Sequence, residues 1–380
     1  MAANPLHQLH AAGQSIWLDY IDRAMLHSGE LEQRIRDDAL TGMTSNPTIF
    51  EKALAEGASY DAQLSAAPPG TSAWELFELV ETTDVRDACD RFHAVYERTQ
   101  GADGMVSIEV SPGAAHDEAA TVAEAKRLRE TVGRPNVMIK VPGTPAGARA
   151  ARALIADGIN VNITLLFSLD AYAAVIEAYQ AGLEDRARAG RPIDRVASVA
   201  SFFVSRVDSE VDKRLAAQRA GATAEVAARI DALLGRAAVA NAKMAYALFR
   251  ERFAGARWDA LARRGARVQR PLWASTSTKN PAYRDVMYVE ELIGGDTVNT
   301  MPPATLVAFR DHGVVRETVG LHVDEERARV AALQSLGISM RAVTDQLLVE
   351  GLASFAKSFD SLIARLEEKT RRLGRALAAR

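Results

Sequence analysis

A lysine near the end of a short apolar segment is the residue of this sequence best suited to chemistry. Lys140 lies in the run Val-Met-Ile-Lys-Val-Pro at 137–142, where burial of an ammonium group would be costly. Desolvation favours a neutral amine, and a neutral amine can attack a ketone to form an imine. The alternative is a lysine whose aliphatic stem is covered while its charged end reaches water. The segment therefore predicts either an imine-forming lysine or an ordinary charge at the edge of the fold.

Two carboxylates occupy similar positions in other apolar segments. Asp19 follows Ser-Ile-Trp-Leu, and Glu109 follows Val-Ser-Ile. Carboxylates beside a reactive amine can carry protons to and from a substrate. Alone, each is more typical of a residue that caps the next helix or pairs with an arginine. We therefore expect acid–base chemistry only if the fold brings both carboxylates to Lys140.

The segment Asn-Val-Asn-Ile-Thr-Leu at 160–165 alternates polar and apolar residues. Alternation with a period of two places Asn160, Asn162 and Thr164 on one face of a strand. A strand covered on both sides in a parallel sheet is normally apolar throughout. The polar face is therefore a candidate to line a site.

Two cations are candidates for binding an anion such as phosphate. Arg206 follows Ser-Phe-Phe at 201–203, and Lys279 lies in Ser-Thr-Ser-Thr-Lys-Asn at 275–280. Nearby hydroxyls and a following helix N-terminus would assist such binding. The alternative, equally expected from position alone, is a pair of helix-surface charges.

The elements that must position these residues are strands that alternate with helices. Strand-like segments are predicted at 15–21, 41–45, 105–110, 137–141, 160–166, 196–203, 271–276 and 297–300. Helical periodicity is clearest at 114–131, 146–156, 169–189 and 223–252. Such strands pair in parallel through right-handed crossovers, and eight units predict an α/β fold, the (β/α)₈ TIM barrel.

We expect one domain over residues 1–380, with extra peripheral helices in the long intervals 46–105 and 203–271 and a C-terminal helix over about 340–377. Active sites of such barrels lie at the carboxyl ends of the strands. Phe355 and Phe359, in the last helix, are interpreted as packing residues.

Composition argues against several classes of partner and cofactor. The 46 basic and 49 acidic residues give a formal net charge of −3, which provides no broad basic field for nucleic acid. No segment approaches the roughly 20 apolar residues of a membrane span. Cys89 is the single cysteine, and the first residues lack a signal-peptide pattern, so a cytoplasmic location is expected. No dinucleotide, Walker or serine-hydrolase motif is present, and the seven histidines show no metal-ligand spacing, so we expect neither cofactor nor metal.

Three motifs, in this order, resemble the transaldolase family. They are Gly-Met-Thr-Ser-Asn-Pro-Thr-Ile-Phe at 42–50, Ile-Lys-Val-Pro-Gly-Thr at 139–144 and Asn-Val-Asn-Ile-Thr-Leu-Leu-Phe-Ser at 160–168. The likeness runs from Asp19 to about Pro302 and is greatest to the longer bacterial form, which is related to fusions with phosphoglucose isomerase. It implies transfer of a dihydroxyacetone unit between ketose and aldose phosphates of the pentose phosphate pathway, without a cofactor.

The resemblance also implies roles for individual residues. Lys140 would form a Schiff base with the ketone, and Asp19 would take the proton of the hydroxyl whose carbon is released. Glu109 with Thr164 would position a water that moves protons during carbinolamine formation. The retained hydroxyls would be bound by Asn46, Asn162 and Ser201.

In the same family Arg206 would bind the distal phosphate. Many transaldolases complete that site with Ser-Phe-Arg-Asn, whereas this chain has Ser-Thr-Ser-Thr-Lys-Asn. We expect Ser275 and Lys279 to contribute, and Ser277 less. Lysine is a point charge without the two-pronged geometry of arginine.

Two alternatives remain open at this stage. One is a fructose-6-phosphate aldolase, although such enzymes tend to carry Gln in place of Glu109 and Tyr in place of Phe203. The other is a non-catalytic sugar-phosphate sensor on the same barrel, because fold does not fix function. The expected partners are small sugar phosphates, and the expected state is a monomer or homodimer.

Overall fold

A computed structural model describes residues 4–56 and 58–378. Its strands are β1 (Gln14–Asp19), β2 (Leu40–Thr44), β3 (Val106–Glu109), β4 (Val137–Pro142), β5 (Val161–Leu166), β6 (Ser198–Phe203), β7 (Arg270–Ala274) and β8 (Thr297–Met301). They pair in parallel, in chain order, and β8 returns to β1 to close the barrel. The predicted (β/α)₈ barrel is confirmed.

The helices surround this barrel. They are α1 (Pro5–Ala11), α2 (Arg23–Ser28), α3 (Glu30–Asp37), α4 (Pro47–Glu56), α5 (Asp61–Ala66), α6 (Ala73–Arg98), α7 (Glu118–Val132), α8 (Pro145–Asp157), α9 (Leu169–Arg188), α10 (Ser205–Arg219), α11 (Ala224–Asp231), α12 (Ala237–Arg252), α13 (Ala256–Ala262), α14 (Met287–Glu290), α15 (Pro303–His312), α16 (Val323–Ser335) and α17 (Met340–Ala378). A 3₁₀ turn covers Pro112–Ala114. The long intervals hold α4 to α6 and α10 to α13, as predicted, and α17 agrees with the predicted C-terminal helix.

Local sequence sets where the crossover helices begin. The side chains of Asp117, Thr144 and Ser168 accept hydrogen bonds from backbone N–H groups in the first turns of α7, α8 and α9. Such caps satisfy donors that a helix cannot satisfy itself. Ser72 and Glu75 form a reciprocal capping box at the start of α6. Each cap directly follows a strand end or loop. Local sequence therefore determines where each strand gives way to a helix.

One predicted helix is wrong in its extent. The periodicity over 223–252 predicts a single helix, but the structure has two, α11 and α12, separated by a turn. Gly235 in that turn has φ +66°, its N–H donates to Asp212 Oδ1 at 3.0 Å, and the Tyr283 ring packs where a Cβ would lie. Tertiary contacts at a residue that tolerates positive φ therefore override a continuous helical pattern.

The barrel interior is filled at its base, which we define as the amino-terminal ends of the strands. Its apolar layer contains Trp17, Met105, Met138, Val199, Leu272 and Val298. Trp17 lies across Gly42, where an added Cβ would be 2.5 Å from the indole Nε1. A cavity of about 370 Å³ borders this layer at the base, and the larger cavity lies at the other end, the mouth, where the strands end.

None of the helices formed by the described residues combines the length and the apolar character that crossing a membrane requires.

Candidate active site

A cavity of about 680 Å³ occupies the mouth of the barrel. Every strand contributes at least one residue to its wall, and α17 contributes from above. Its lining includes these residues proposed from the sequence: Asp19, Asn46, Glu109, Lys140, Thr164, Ser201, Phe203, Arg206, Ser275, Ser277 and Lys279. Side chains that are scattered over 260 positions of the chain thus meet because parallel strands all end on one side of the barrel.

Lys140 and Glu109 are neighbours because β3 and β4 pair with these two residues in register. Lys140 Nζ donates to Glu109 Oε2 at 3.0 Å and to the Ser45 carbonyl oxygen at 3.3 Å. The two side chains are only 11% and 6% exposed. Burial raises the pKa of the Glu109 carboxyl, and the charge and hydrogen bond of Lys140 offset part of that rise. The lysine therefore has a proton acceptor in direct contact.

Asp19, at the end of β1, is held by a hydroxyl pair. Thr44 Oγ1 donates to Asp19 Oδ1 at 2.9 Å and lies 2.8 Å from Thr300 Oγ1. Burial raises the pKa of the Asp19 carboxyl, while the charge of Lys140 and hydrogen bonds from Thr44 and Asn46 oppose that effect. A carboxyl with raised proton affinity, facing the cavity, is suited to accept a proton from a substrate hydroxyl.

Of the residues proposed from the sequence, Asn160 and Asn162 do not line the cavity. Asn160 precedes β5, and its Nδ2 donates to backbone carbonyl oxygens at the start of β4. Asn162 pairs with Lys140 across β4 and β5 and is fully buried. Its Nδ2 donates to Ser107 Oγ at 3.0 Å, and its Oδ1 accepts from Ser201 Oγ at 2.6 Å. The structure therefore places Asn162 one layer below the cavity, where it fixes the Ser201 hydroxyl above it.

The end of β5 departs from regular strand geometry. Leu165 has φ +58°, and the register with β6 shifts between Ile163 and Leu166. A branched, non-glycine residue at positive φ is uncommon and costs of the order of 1–3 kcal/mol. The preceding Thr164 Oγ1 is buried and has no hydrogen-bond partner among the described residues. This bulge presents both Thr164 and Leu165 to the cavity.

The opposite wall carries two cations and several hydroxyls. Lys279 Nζ donates to Ser277 Oγ at 2.7 Å. Ser275, with φ +57°, lies with its Oγ 3.0 Å from Ser205 Oγ. Arg206 lies over the Phe203 ring, 5.6 Å from its centre. Hydroxyl donors, an ammonium and a guanidinium together form a chemically suitable site for a phosphate group.

The electrostatic surroundings of these two cations favour an anion. Within residues 4–56 and 58–378, neither Arg206 nor Lys279 forms an ion pair. Burial lowers the pKa of Arg206, against the influence of Glu350. Burial, followed by the charge of Arg206, lowers the pKa of Lys279. The charge of Asp19 opposes this second effect. Two neighbouring positive charges that form no ion pair within the described residues favour a bound anion.

Some residues of the site were not found from the sequence. Thr44 bonds Asp19, and Thr300 bonds Thr44. The alternation of their strands is the signal that would have placed both threonines inside the barrel. Gly351, Ser354, Phe355 and Ser358 of α17 also line the cavity, at spacings that share one helix face. Phe355, interpreted as a packing residue, thus faces the cavity.

Phe359 packs on aromatic rings behind the cavity, as interpreted from the sequence. Its ring centre lies 5.1 Å from that of Trp74 and 5.7 Å from that of Phe77. Thr48 Oγ1 on α4 donates to Ser358 Oγ at 3.0 Å. These contacts fix α17 across the mouth.

In the part of the chain that the structure describes, no group of three or more His, Cys, Asp or Glu residues is arranged to hold a metal ion. The expectation of chemistry without a metal remains a prediction.

Comparison with known proteins agrees with this geometry. The family model described as transaldolase/fructose-6-phosphate aldolase matches residues 16–366. A transaldolase of Thermobifida fusca is 50% identical over 96% of this chain and 98% of its own length. A transaldolase of Trichodesmium erythraeum is 48% identical over 98% and 99%, and transaldolase 1 of Streptomyces coelicolor is 49% identical over 95% and 94%. The chain therefore belongs to the transaldolase/fructose-6-phosphate aldolase family.

Proposed function

We propose that this protein is a transaldolase that moves a dihydroxyacetone unit through a Schiff base on Lys140. The donor and product pairs are sedoheptulose 7-phosphate with glyceraldehyde 3-phosphate, and erythrose 4-phosphate with fructose 6-phosphate. The observation that carries the proposal is the Lys140–Glu109 contact of 3.0 Å at the wall of the mouth cavity. Full-length similarity to proteins named transaldolase supports the same activity.

The first step is formation of the imine. Glu109 accepts a proton from Lys140, and the neutral amine attacks the ketone carbon of the sugar. Conversion of the carbinolamine into a protonated imine then expels the former ketone oxygen as water. Thr164 Oγ1, buried and unpaired within the described residues, is available with Glu109 to hold the water that carries these protons.

The second step is cleavage of the carbon–carbon bond. Asp19 accepts the proton of the hydroxyl at the carbon to be released, and the electron pair of the breaking bond is delocalised into the protonated imine. The aldose phosphate leaves, and the three-carbon fragment stays on Lys140. An acceptor aldehyde then takes up the same electron pair, and Asp19 returns the proton to its oxygen.

Binding groups at the two sides of the cavity orient the sugar. Arg206 and Lys279, with Ser275 and Ser277, bind the distal phosphate. Asn46 donates to a hydroxyl of the fragment that is kept, and Ser201 Oγ, whose own proton goes to Asn162, accepts from another. Asn162 contributes through Ser201, to which it is bonded.

Transfer is favoured over release of free dihydroxyacetone. The chain has Glu109 and Phe203 where the related aldolases tend to have Gln and Tyr. An assay of fructose 6-phosphate with and without erythrose 4-phosphate separates the two reactions. We expect turnover only with the acceptor, and it should persist after exhaustive chelation. Dihydroxyacetone produced from fructose 6-phosphate alone would identify an aldolase instead.

Borohydride reduction in the presence of fructose 6-phosphate tests the mechanism directly. We expect the protein to gain the mass of one reduced dihydroxyacetone adduct, and peptide mapping to place it on Lys140. Unmodified protein, or label on another lysine, would refute the mechanism.

We further propose that the chain works as one domain, in the cytoplasm, as a monomer or homodimer. Light scattering of the purified protein measures the oligomeric state.

The buried thiol of Cys89 supports a packing role for the single cysteine, because burial raises the pKa of this thiol and keeps it protonated.

A further inference from the structure

A second, much smaller cavity lies directly behind the active-site cavity. Its volume is about 10 Å³, roughly the space that one water molecule requires. Pro47, Glu109 and Phe355 line both cavities. Glu109 is therefore part of the wall between them, with Lys140 on one side and the small cavity on the other.

The small cavity contains a buried carboxyl that the mechanism above does not use. Glu81, on α6, is 4% exposed and lines the cavity. Within the described ranges 4–56 and 58–378, its carboxyl forms neither a hydrogen bond nor an ion pair. Two other acids at this cavity are already engaged. Glu124 accepts from Ser111 N at 3.0 Å and Ser111 Oγ at 2.8 Å, and Glu78 pairs with Arg127.

The surroundings of Glu81 favour its protonated form. Aromatic and aliphatic side chains cover the cavity, among them Trp74, Phe77, Leu128 and Phe359. Burial raises the pKa of the Glu81 carboxyl well above its ordinary value, and the negative charge of Glu109 raises it further. The charge of Lys140 acts in the opposite direction. The Glu81 carboxyl therefore holds its proton more tightly than an ordinary glutamate.

We propose that Glu81 stores an exchangeable proton for imine chemistry and passes it to Glu109 through one water molecule in the small cavity. This inference rests on the proposed Schiff base at Lys140. Glu81 touches no reacting atom, so it is a positioning residue that acts through Glu109. A carboxyl that is buried without a partner costs stability, and a role in proton transfer accounts for its presence.

The proton balance explains why a second store is useful. When an ammonium and a ketone become a protonated imine and water, two protons move from nitrogen to the leaving oxygen. Glu109 alone carries them one after the other. With Glu81, Glu109 gives its first proton to the oxygen and is reprotonated through the water. One oxygen of the Glu109 carboxyl then accepts the second nitrogen proton while the other donates to the hydroxyl, so the freed nitrogen lone pair forms the imine as the C–O bond breaks and water leaves. Glu109 finally returns a proton through the water to Glu81, so the pair ends as it began.

The test compares Glu81→Gln with the parent. Glutamine keeps the size and polarity of the side chain but cannot release a proton. The readout is the rate of imine formation with fructose 6-phosphate, followed by borohydride quenching at increasing times between pH 5.5 and 9. We expect the rate to fall on the order of tenfold or more, with little change in KM.

The pH profile separates proton storage from a purely structural role. In the parent, the acid form of Glu81 is the active form, so the rate should decline at alkaline pH as this proton is lost. Glu81→Gln should be slower and should lack that decline. Glu124→Gln is the matched control, because it changes an acid of the same cavity that Ser111 already binds. It should retain the parental rate and profile.

The outcomes are distinguishable from failure of the proposed function. No adduct on Lys140 in the parent refutes the Schiff base itself. An adduct in the parent together with a parental rate and profile in Glu81→Gln refutes only the role of Glu81. If Glu81→Gln does not fold, the parent is measured in mixtures of H₂O and D₂O. A curved dependence of the imine-formation rate on deuterium fraction supports the transfer of more than one proton in the rate-limiting step. A linear dependence contradicts the proposed proton transfer through Glu81.

Discussion

A carboxylate lies beside a cation both at the base and at the mouth of the barrel, but the two pairs differ in how many hydrogen-bond and ion-pair partners they have. At the base, Asp103 accepts hydrogen bonds from Ser15 Oγ, from Trp17 Nε1 at 2.8 Å and from the Gly104 N–H at 3.2 Å. Arg270 Nη2 lies 3.6 Å from it, and Nη1 of the same arginine donates to Ser15 Oγ at 2.6 Å. Every group of this cluster has a partner.

At the mouth the charges are less fully matched. Burial raises the pKa of both Asp19 and Glu109, and Arg206 forms no ion pair within the described residues. The difference shows that the same residue types stabilise the fold where they are satisfied and are available for chemistry where they are not.

The largest expected effect is on the reactive amine. Lys140→Arg should lower transaldolase turnover by about 10³-fold or more, because a guanidinium stays protonated and forms no imine. The free energy of unfolding should change little, since a cation remains beside Glu109. Assays with fructose 6-phosphate and erythrose 4-phosphate, and thermal melts, measure the two effects. Lys126→Arg, at an exposed ion pair with Asp157, is the control, and substantial activity in Lys140→Arg would contradict the assignment.

The next effect concerns the proton acceptor at β1. Asp19→Asn should lower kcat by about 10²-fold or more, since an amide cannot accept the substrate proton.

Asp19→Asn should also change the pH dependence of stability. A raised carboxyl pKa means that the unfolded state releases its proton first, so the parent loses stability as the pH rises from about 4 towards the folded-state pKa. Relative to the parent, Asp19→Asn should therefore gain stability in urea unfolding as the pH rises above about 4. A parallel pH dependence would contradict the raised pKa.

The matching change at the base should affect stability alone. Asp103→Ala leaves the Trp17 N–H and Arg270 without their acceptor, and we expect a loss of about 3 kcal/mol in the free energy of unfolding. The value of kcat should stay within about twofold of the parent. Asp157→Ala, which removes an exposed ion pair, should cost less than about 1 kcal/mol. A large loss of kcat in a folded Asp103→Ala protein would contradict the view that the base contributes only to stability.

A smaller effect is expected at the cationic wall. Arg206→Ala should lower kcat/KM for phosphorylated sugars by about 10–100-fold, mostly through KM, because a charge-assisted contact is worth about 1.5–3 kcal/mol. Stability should not fall, since Arg206 has no ion pair among the described residues to lose. Steady-state kinetics test this, with Arg219→Ala, at an exposed pair with Asp231, as the control. An unchanged KM would argue against phosphate binding at Arg206.

The smallest expected effect is on the helix that crosses the mouth. An alanine Cβ at Gly351 would lie 3.2 Å from Leu165 Cδ2, so Gly351→Ala should crowd the cavity and raise KM about two- to threefold. Gly374→Ala lies on the same helix with nothing within 4 Å of the added Cβ. It should raise helix stability slightly and leave KM unchanged. Equal KM values in the two variants would show that α17 does not limit access.

The sequence determined the barrel and most of its site for a local reason. Alternating strand and helix patterns predict parallel order, and in that order Glu109 and Lys140 become direct neighbours. The strand ends also predict that Asp19, Thr164 and Ser201 share one side of the barrel. These predictions follow from the two-residue period of side chains along each strand, and this period can be read directly from the sequence.

Only the tertiary structure decided which of these residues reach open space. Asn162 is on the same strand face as Thr164, yet it is sealed beneath the cavity because strand stagger sets its depth. The break at Gly235, the approach of α17 to Leu165 and the position of Glu81 behind Glu109 all depend on packing between distant segments. Sequence periodicity states which face a side chain occupies, but depth, solvent access and the pKa of a buried carboxyl arise only when the layers of the fold are brought together.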